Sequence, residues 1–141
     1  MALSSVLVAC TTPQPPRNVV ARESDYSNPK ARQVLSHIIG PDDMRLRRSG
    51  SVVERACHGE ASALRDIYRA CDNADGEIAE VQIYYLARVF FSLGDSRFAG
   101  SLHFASDSTK SFAARHLIPI FDRFRVWYPL TRMRLKQYEQ A

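Results

Sequence analysis

One segment constrains this chain more than any other. Between Asp75-Gly76 and Gly94-Asp95, the residues Ile78, Val81, Tyr84, Tyr85, Leu86, Ala87, Val89, Phe90, Phe91 and Leu93 recur with hardly any polar face between them. A run of this length bounded by glycines and without alternation reads as a helix, not a strand. A helix that is apolar nearly all round is stable only when other elements cover it on every side. The fold is therefore expected to be built around this segment as its central, most buried helix.

The elements that could cover it are legible on both sides. Asn28-Pro29, then Ala31, Val34, Leu35 and Ile38, then Gly40-Pro41 combine an N-cap, a first-turn proline, an i, i+3, i+4, i+7 stripe and a stop. Residues 42–48 form a charged connection. Ser51-Val-Val-Glu54 fits a capping box, which predicts a short helix to about His58 ended by Gly59. In residues 60–72, Ala61, Leu64, Ile67, Tyr68 and Cys71 share one face. Asp95 is placed to cap a following helix with Phe98, Ala99, Leu102 and Ala105 inward, and Asp107 or Ser108 to cap the last helical region. That region is expected to kink or break at Pro119 and again at Pro129, because proline removes a ladder donor. With no alternating pattern of useful length, the expectation is an all-α, irregular multi-helix bundle. The punctuation His58-Gly59-Glu60 and Leu93-Gly94-Asp95 also loosely resembles the helix pairs of α-solenoids, although two units of unequal length favour an ordinary bundle.

The N-terminal stretch has a different character. Met1-Ala-Leu-Ser-Ser-Val-Leu-Val-Ala-Cys10 is apolar, uncharged and ends in small residues, and it changes abruptly to Thr-Thr-Pro-Gln-Pro-Pro-Arg17. This is the outline of a secretory apolar region and cleavage site, though no Lys or Arg precedes it. Leu7-Val8-Ala9-Cys10 resembles the lipobox of bacterial lipoproteins. That resemblance implies lipidation of Cys10, anchoring to a membrane, and a periplasmic location. The organisation is then a signal-like segment at 1–10, a flexible tether at 11–27, where prolines favour extended hydrated chain, and a single helical domain at 28–141. The other reading of the same residues is a cytosolic N-terminus.

With 45% hydrophobic and 24% charged residues, the body is an ordinary globule and not a disordered chain. It needs no metal or dense disulfides to fold, and no apolar run is long enough to span a bilayer. Cys57 and Cys71 form an even pair. If each ends a helix, however, the second helix separates them by about 15 to 18 Å, too far for a bridge. Two buried thiols are expected instead.

Catalytic chemistry finds no footing. Gly94-Asp95-Ser96 resembles the first block of the GDSL-type esterases, but no Asp-x-x-His follows to activate the serine, and a helix-ending glycine before a capping aspartate accounts for the same residues. His37, His58, His103 and His116 fall at no zinc-ligand spacing, no C-x-x-C is present, and there is no glycine-rich phosphate loop. No catalytic, cofactor or metal residue is assigned.

Charge supplies the remaining clue. Residues 1–109 hold twelve Lys and Arg against thirteen Asp and Glu, whereas from Lys110 onward seven basic residues face only Asp122 and Glu139. The net charge of +4 thus resides wholly in the last third of the chain. There Arg123, Arg125, Trp127, Arg132, Arg134 and Lys136 form a basic, aromatic stretch that suits an acidic partner, an anionic lipid surface with tryptophan at the headgroup level, or nucleic acid. The arginines at 132 and 134 cannot share one helical face, so the patch is expected to assemble across a break at Pro129. Phe121, Phe124, Trp127 and Tyr128 at i, i+3, i+6, i+7 also fit the core face of a helix, which would leave the arginines wet. Together these features point to a membrane-tethered periplasmic module that binds another protein, as an inhibitor, an immunity factor or a subunit of an envelope complex, without catalysis. The competing class is a cytosolic regulator that holds nucleic acid through its basic C-terminal segment.

Overall fold

The computed structural model describes residues 28–38 and 50–139; the lipobox-like segment, the tether and the charged connection at 42–48 lie outside them. The described residues form helices α1 (Pro29–Ile38), α2 (Gly50–Cys57), α3 (Ala61–Ala70), α4 (Gly76–Leu93), α5 (Asp95–Ser101), α6 (Asp107–Arg123) and α7 (Pro129–Leu135). Single 3-10 turns, Leu102–Phe104 and Lys136–Tyr138, extend α5 and α7. No strand occurs among the described residues, so the chain is all-α.

α4 is the hub, packed against α1, α2, α3, α5 and α6. Helices far apart in sequence therefore meet directly. A solenoid, in which each repeat touches only its neighbours, does not give that pattern, so the architecture is a multi-helix bundle. The central helix is fully enclosed only from its middle onward: Ile83, Tyr84, Leu86, Ala87, Val89, Phe90, Ser92 and Leu93 are buried, while Ile78 on the first turn stands 60% exposed. Asp75, Glu77 and Glu80 explain the difference, because three carboxylates on the first two turns must stay in water.

Several boundaries follow from the expected local signals. The Asn28 side chain caps α1 by accepting from the amides of Lys30 (2.9 Å) and Ala31 (3.2 Å). α2 ends in a Schellman motif: Gly59, at φ 89°, donates to Ala56 O, and Glu60 donates to Arg55 O. The 3.6-residue stripe of α5 puts Phe98, Ala99, Leu102 and Ala105 inside.

Others depart from expectation for identifiable reasons. Ser51 lies within α2, not ahead of it, and the Glu54 carboxylate reaches across to Arg88 of α4 at 3.1 Å, tying the two helices together. The cap of α6 is Ser106, whose hydroxyl accepts from Thr109 N at 3.1 Å; it precedes both expected capping residues. α6 runs unbroken through Pro119. Both Pro119 and Arg115, whose carbonyl loses its partner, are exposed, so water can satisfy what the proline removes. Pro129 does not break a helix either. It begins α7, where a missing N–H costs nothing.

The interruption lies between the two prolines and is made by Arg125. At φ 56° this residue occupies the left-handed position that usually calls for glycine. Arg125 N donates to Asp122 O and Val126 N to Phe121 O, which completes a second Schellman ending. Lys30 of α1 then donates to the Phe124 carbonyl at 2.6 Å, so α1 seals the end of α6.

A polar seam joins α3 to α6. The Asp72 carboxylate accepts from Ser106 (2.7 Å) and Thr109 (2.6 Å). These two hydroxyls hold its carboxyl below the ordinary range. Nearby, Cys57 and Cys71 are both buried and no disulfide joins them. Burial, and then the neighbouring Asp72 charge, push the Cys71 thiol up to about 12, which keeps it protonated and unreactive.

The core centres on Phe90. Its ring lies 5.5 Å from Phe98 and 4.8 Å from Phe121, which in turn meets Tyr128 edge-on at 5.2 Å. Phe90→Ala should therefore lower the unfolding free energy by about 3 to 5 kcal/mol, the range for truncating a buried aromatic. Chemical denaturation measures this directly, and a loss below about 1 kcal/mol, the size of a surface change, would mean that the core lies elsewhere.

Candidate functional site

α7 is short, with seven residues, and too brief to be stable alone. Its position is set by a carboxylate from another helix. Asp95, the first residue of α5 and 2% exposed, accepts from Leu130 N and Thr131 N, each at 2.8 Å. Those are the first two amides of α7, at its second and third positions, because Pro129 at the first has no N–H; Arg132 N already bonds to Tyr128 O at 2.9 Å. The leading donors of the helix are thereby satisfied, and the buried charge faces the positive end of the α7 dipole. Thr131, fully buried, returns a bond from its hydroxyl to Asp95 O at 3.3 Å. Asp95 was expected to cap its own helix. Its carboxylate instead caps α7.

A second clamp fixes the strand of chain that leads into α7. Arg132 Nη1 lies 2.7 and 2.6 Å from the two Asp122 oxygens and 2.8 Å from Tyr128 OH, while Tyr128 OH donates to Asp122 at 2.6 Å. Burial alone would raise the Asp122 carboxyl; the bonds from Arg132 and Tyr128, with the guanidinium charge, outweigh it and leave the carboxyl lowered. The ring of Tyr128 is buried beside Phe121.

Held this way, α7 turns Thr131 and Leu135 inward and leaves Leu130 (41%) and Met133 (64%) exposed. Trp127, 46% exposed, lies in the non-helical link just ahead of α7, so the exposed apolar side chains of this segment are Trp127, Leu130 and Met133. Arg123, Arg125, Arg134 and Lys136 are exposed on the same C-terminal segments. Met133, Arg134, Lys136 and Gln137 also line an open hollow of about 580 Å³.

The basic residues singled out from sequence are therefore not equivalent. Arg132 is committed to Asp122 inside the clamp and contributes no unpaired charge. Arg123 lies over the Phe124 ring, 5.5 Å from its centroid, and Arg134 reaches the Ala99 carbonyl at 3.5 Å while staying exposed. The four aromatics do not share a helix face, because α6 stops at Arg123: Phe121 and Tyr128 are core, Phe124 is half-buried, and Trp127 is outside. Leu130 and Met133 were not singled out from sequence at all. The signal that could have found them is Pro129 read as a helix start, which puts both on the face that Thr131 and Leu135 leave to solvent.

Among the described residues, no group of His, Cys, Asp and Glu is arranged to hold a metal ion, and no helix is long and apolar enough to cross a membrane. No protein-family model, curated protein or solved structure matches the chain.

The placement of α7 should depend on Asp95. Asp95→Ala removes two charge-assisted bonds and strands two amides, and it should cost about 2 to 3 kcal/mol. Asp95→Asn, which keeps one accepting oxygen, should cost less than half as much. Equal losses for the two variants by equilibrium denaturation would show that the side chain acts by packing and not as a cap.

Proposed function

We propose that this protein is a non-catalytic binding module, tethered to a membrane through Cys10 and working in the periplasm, that docks an acidic protein partner on the α7 face. The single observation that carries the docking part is that Trp127, Leu130 and Met133 are exposed on one short C-terminal segment that also carries exposed Arg123, Arg125, Arg134 and Lys136. Tryptophan and arginine are the residue types that most often anchor protein interfaces. Large exposed apolar side chains grouped together mark interaction surfaces, whereas scattered ones do not. The basic surround adds long-range attraction and suits a negative partner. The tether rests on Leu7-Val8-Ala9-Cys10 and the proline-containing stretch after it. An inhibitor, an immunity factor or a subunit of an envelope complex would each use such a module in this way.

The basic excess also fits the second reading, a cytosolic regulator on nucleic acid. Phosphate binding needs the cations but gains little from Leu130 and Met133, neither of which has a flat ring on which a base could stack. The exposed apolar side chains thus favour protein.

Two measurements test this reading. The native protein should fractionate with membranes and Cys10→Ala should release it; wild type that stays soluble and unprocessed by mass spectrometry would remove the tether. Arg134→Glu with Lys136→Glu should slow capture of the partner from cell envelopes by about tenfold or more and reduce its salt dependence, with the fold intact, because solvated charges act mainly through steering. Unchanged capture would mean that α7 is only a solvated face.

A further inference from the structure

The exposed large apolar side chains among the described residues are Ile78, Trp127, Leu130 and Met133, and they divide between just two surfaces of opposite charge. Three belong to the basic α7 face. The fourth, Ile78, stands alone on the first turn of α4, while Val81 and Tyr85 at i+3 and i+7 are half-buried and packed against the core. Glu77 precedes Ile78 on the first turn and Asp75 is the residue just ahead of the helix; both are exposed, as is Glu80. None of these three carboxylates takes part in an ion pair among the described residues. Together they outweigh the roughly half positive charge that the α4 N-terminus carries.

We propose that the acidic partner of the α7 face is a second copy of this chain, which docks the first turns of its α4 on Trp127, Leu130 and Met133. The inference rests on the α7 face being a docking surface and names what it docks. Ile78 would seat among Trp127, Leu130 and Met133, while Asp75 and Glu77 face Arg134 and Lys136. Within one chain the two surfaces cannot meet. The last residue of α4 adjoins Gly94-Asp95, which holds α7, so the length of α4, about 26 Å at the α-helical rise, separates its acidic end from the basic face. A second copy is the acidic partner that the chain itself supplies, because the α4 end carries three exposed carboxylates without an ion pair among the described residues. Because the surfaces are unlike, every copy in an assembly retains a face for the next, and association continues as a ring or a chain.

The test uses the full chain carrying Cys10→Ala, to remove any lipid, in sedimentation velocity at low salt. The mass should rise with concentration above the 16.0 kDa of one chain, and this rise should be suppressed at about 500 mM salt. Glu77→Lys with Ile78→Ser, and Met133→Ser with Lys136→Glu, should each be monomeric. An equimolar mixture of these two variants retains one intact acidic end and one intact basic face, so it should form a one-to-one dimer and nothing larger. The dimer should also blue-shift the emission of Trp127, the only tryptophan. If circular dichroism shows either double variant unfolded, Ile78→Ser and Met133→Ser alone replace them. A wild-type chain still monomeric at about 1 mM, a mixture that does not associate, or a monomer that binds phosphatidylglycerol vesicles through Trp127 each overturns the proposal. If self-association fails but Arg134→Glu with Lys136→Glu still abolishes salt-sensitive envelope capture, the α7 face remains a docking surface and only its occupant changes.

Discussion

The carboxylate of Asp95 seated on the first two amides of α7 is the contact on which the functional surface depends. Burying an unpaired carboxylate is costly, and so is leaving two helix-end amides buried without acceptors. Each group removes the other's penalty, so the contact holds only while α5 and α7 stay together. At the α5 end Asp95 is 2% exposed; at the α7 end Thr131 is fully buried, while Leu130 keeps its side chain in water. The clamp of Asp122, Tyr128 and Arg132 fixes the chain just before α7 and directs Trp127 outward. A seven-residue helix thus acquires a rigid address from two carboxylates, one ahead of it in each neighbouring helix.

α4 links this arrangement to the remainder of the fold. Its C-terminal half lies in the aromatic core with Phe98 and Phe121, and its end leads directly through Gly94 into Asp95. Its N-terminal turns carry carboxylates and project toward water. One helix therefore serves as the core of the bundle at one end and as an exposed, acidic ridge at the other. The opposed charges of that ridge and the α7 face follow from where the chain places Asp75, Glu77 and Lys110 onward, not from any local propensity.

Features governed by neighbours in sequence were legible in advance. The Asn28 cap, the Gly59 ending and the inward stripe of Phe98, Ala99, Leu102 and Ala105 each rest on spacings of seven residues or fewer. What escaped depended on partners distant in sequence or on a conformation without a sequence mark. Nothing in Asp95 announces that its side chain serves Leu130 and Thr131, 35 and 36 residues away. Arg125 ends α6 in a left-handed conformation that composition assigns to glycine, so the break was sought at the prolines instead. Nothing near Arg132 in sequence marks it as the partner of Asp122 and Tyr128, and its pairing there leaves Leu130, Met133, Arg134 and Lys136 exposed on α7 and the turn after it.

Native-state hydrogen exchange tests the dependence of α7 on Asp95 most directly. In the wild-type protein the amides of Leu130 and Thr131 should be protected, although they begin a helix and have no acceptor within it. In Asp95→Ala they should exchange at least about tenfold faster, the factor for losing roughly 1.4 kcal/mol of local protection, while Val89 and Phe90 in the core of α4 lose only what global stability accounts for. Unprotected Leu130 and Thr131 amides in the wild type, or protection at those two positions that falls no further than at Val89 and Phe90 on substitution, would contradict the account.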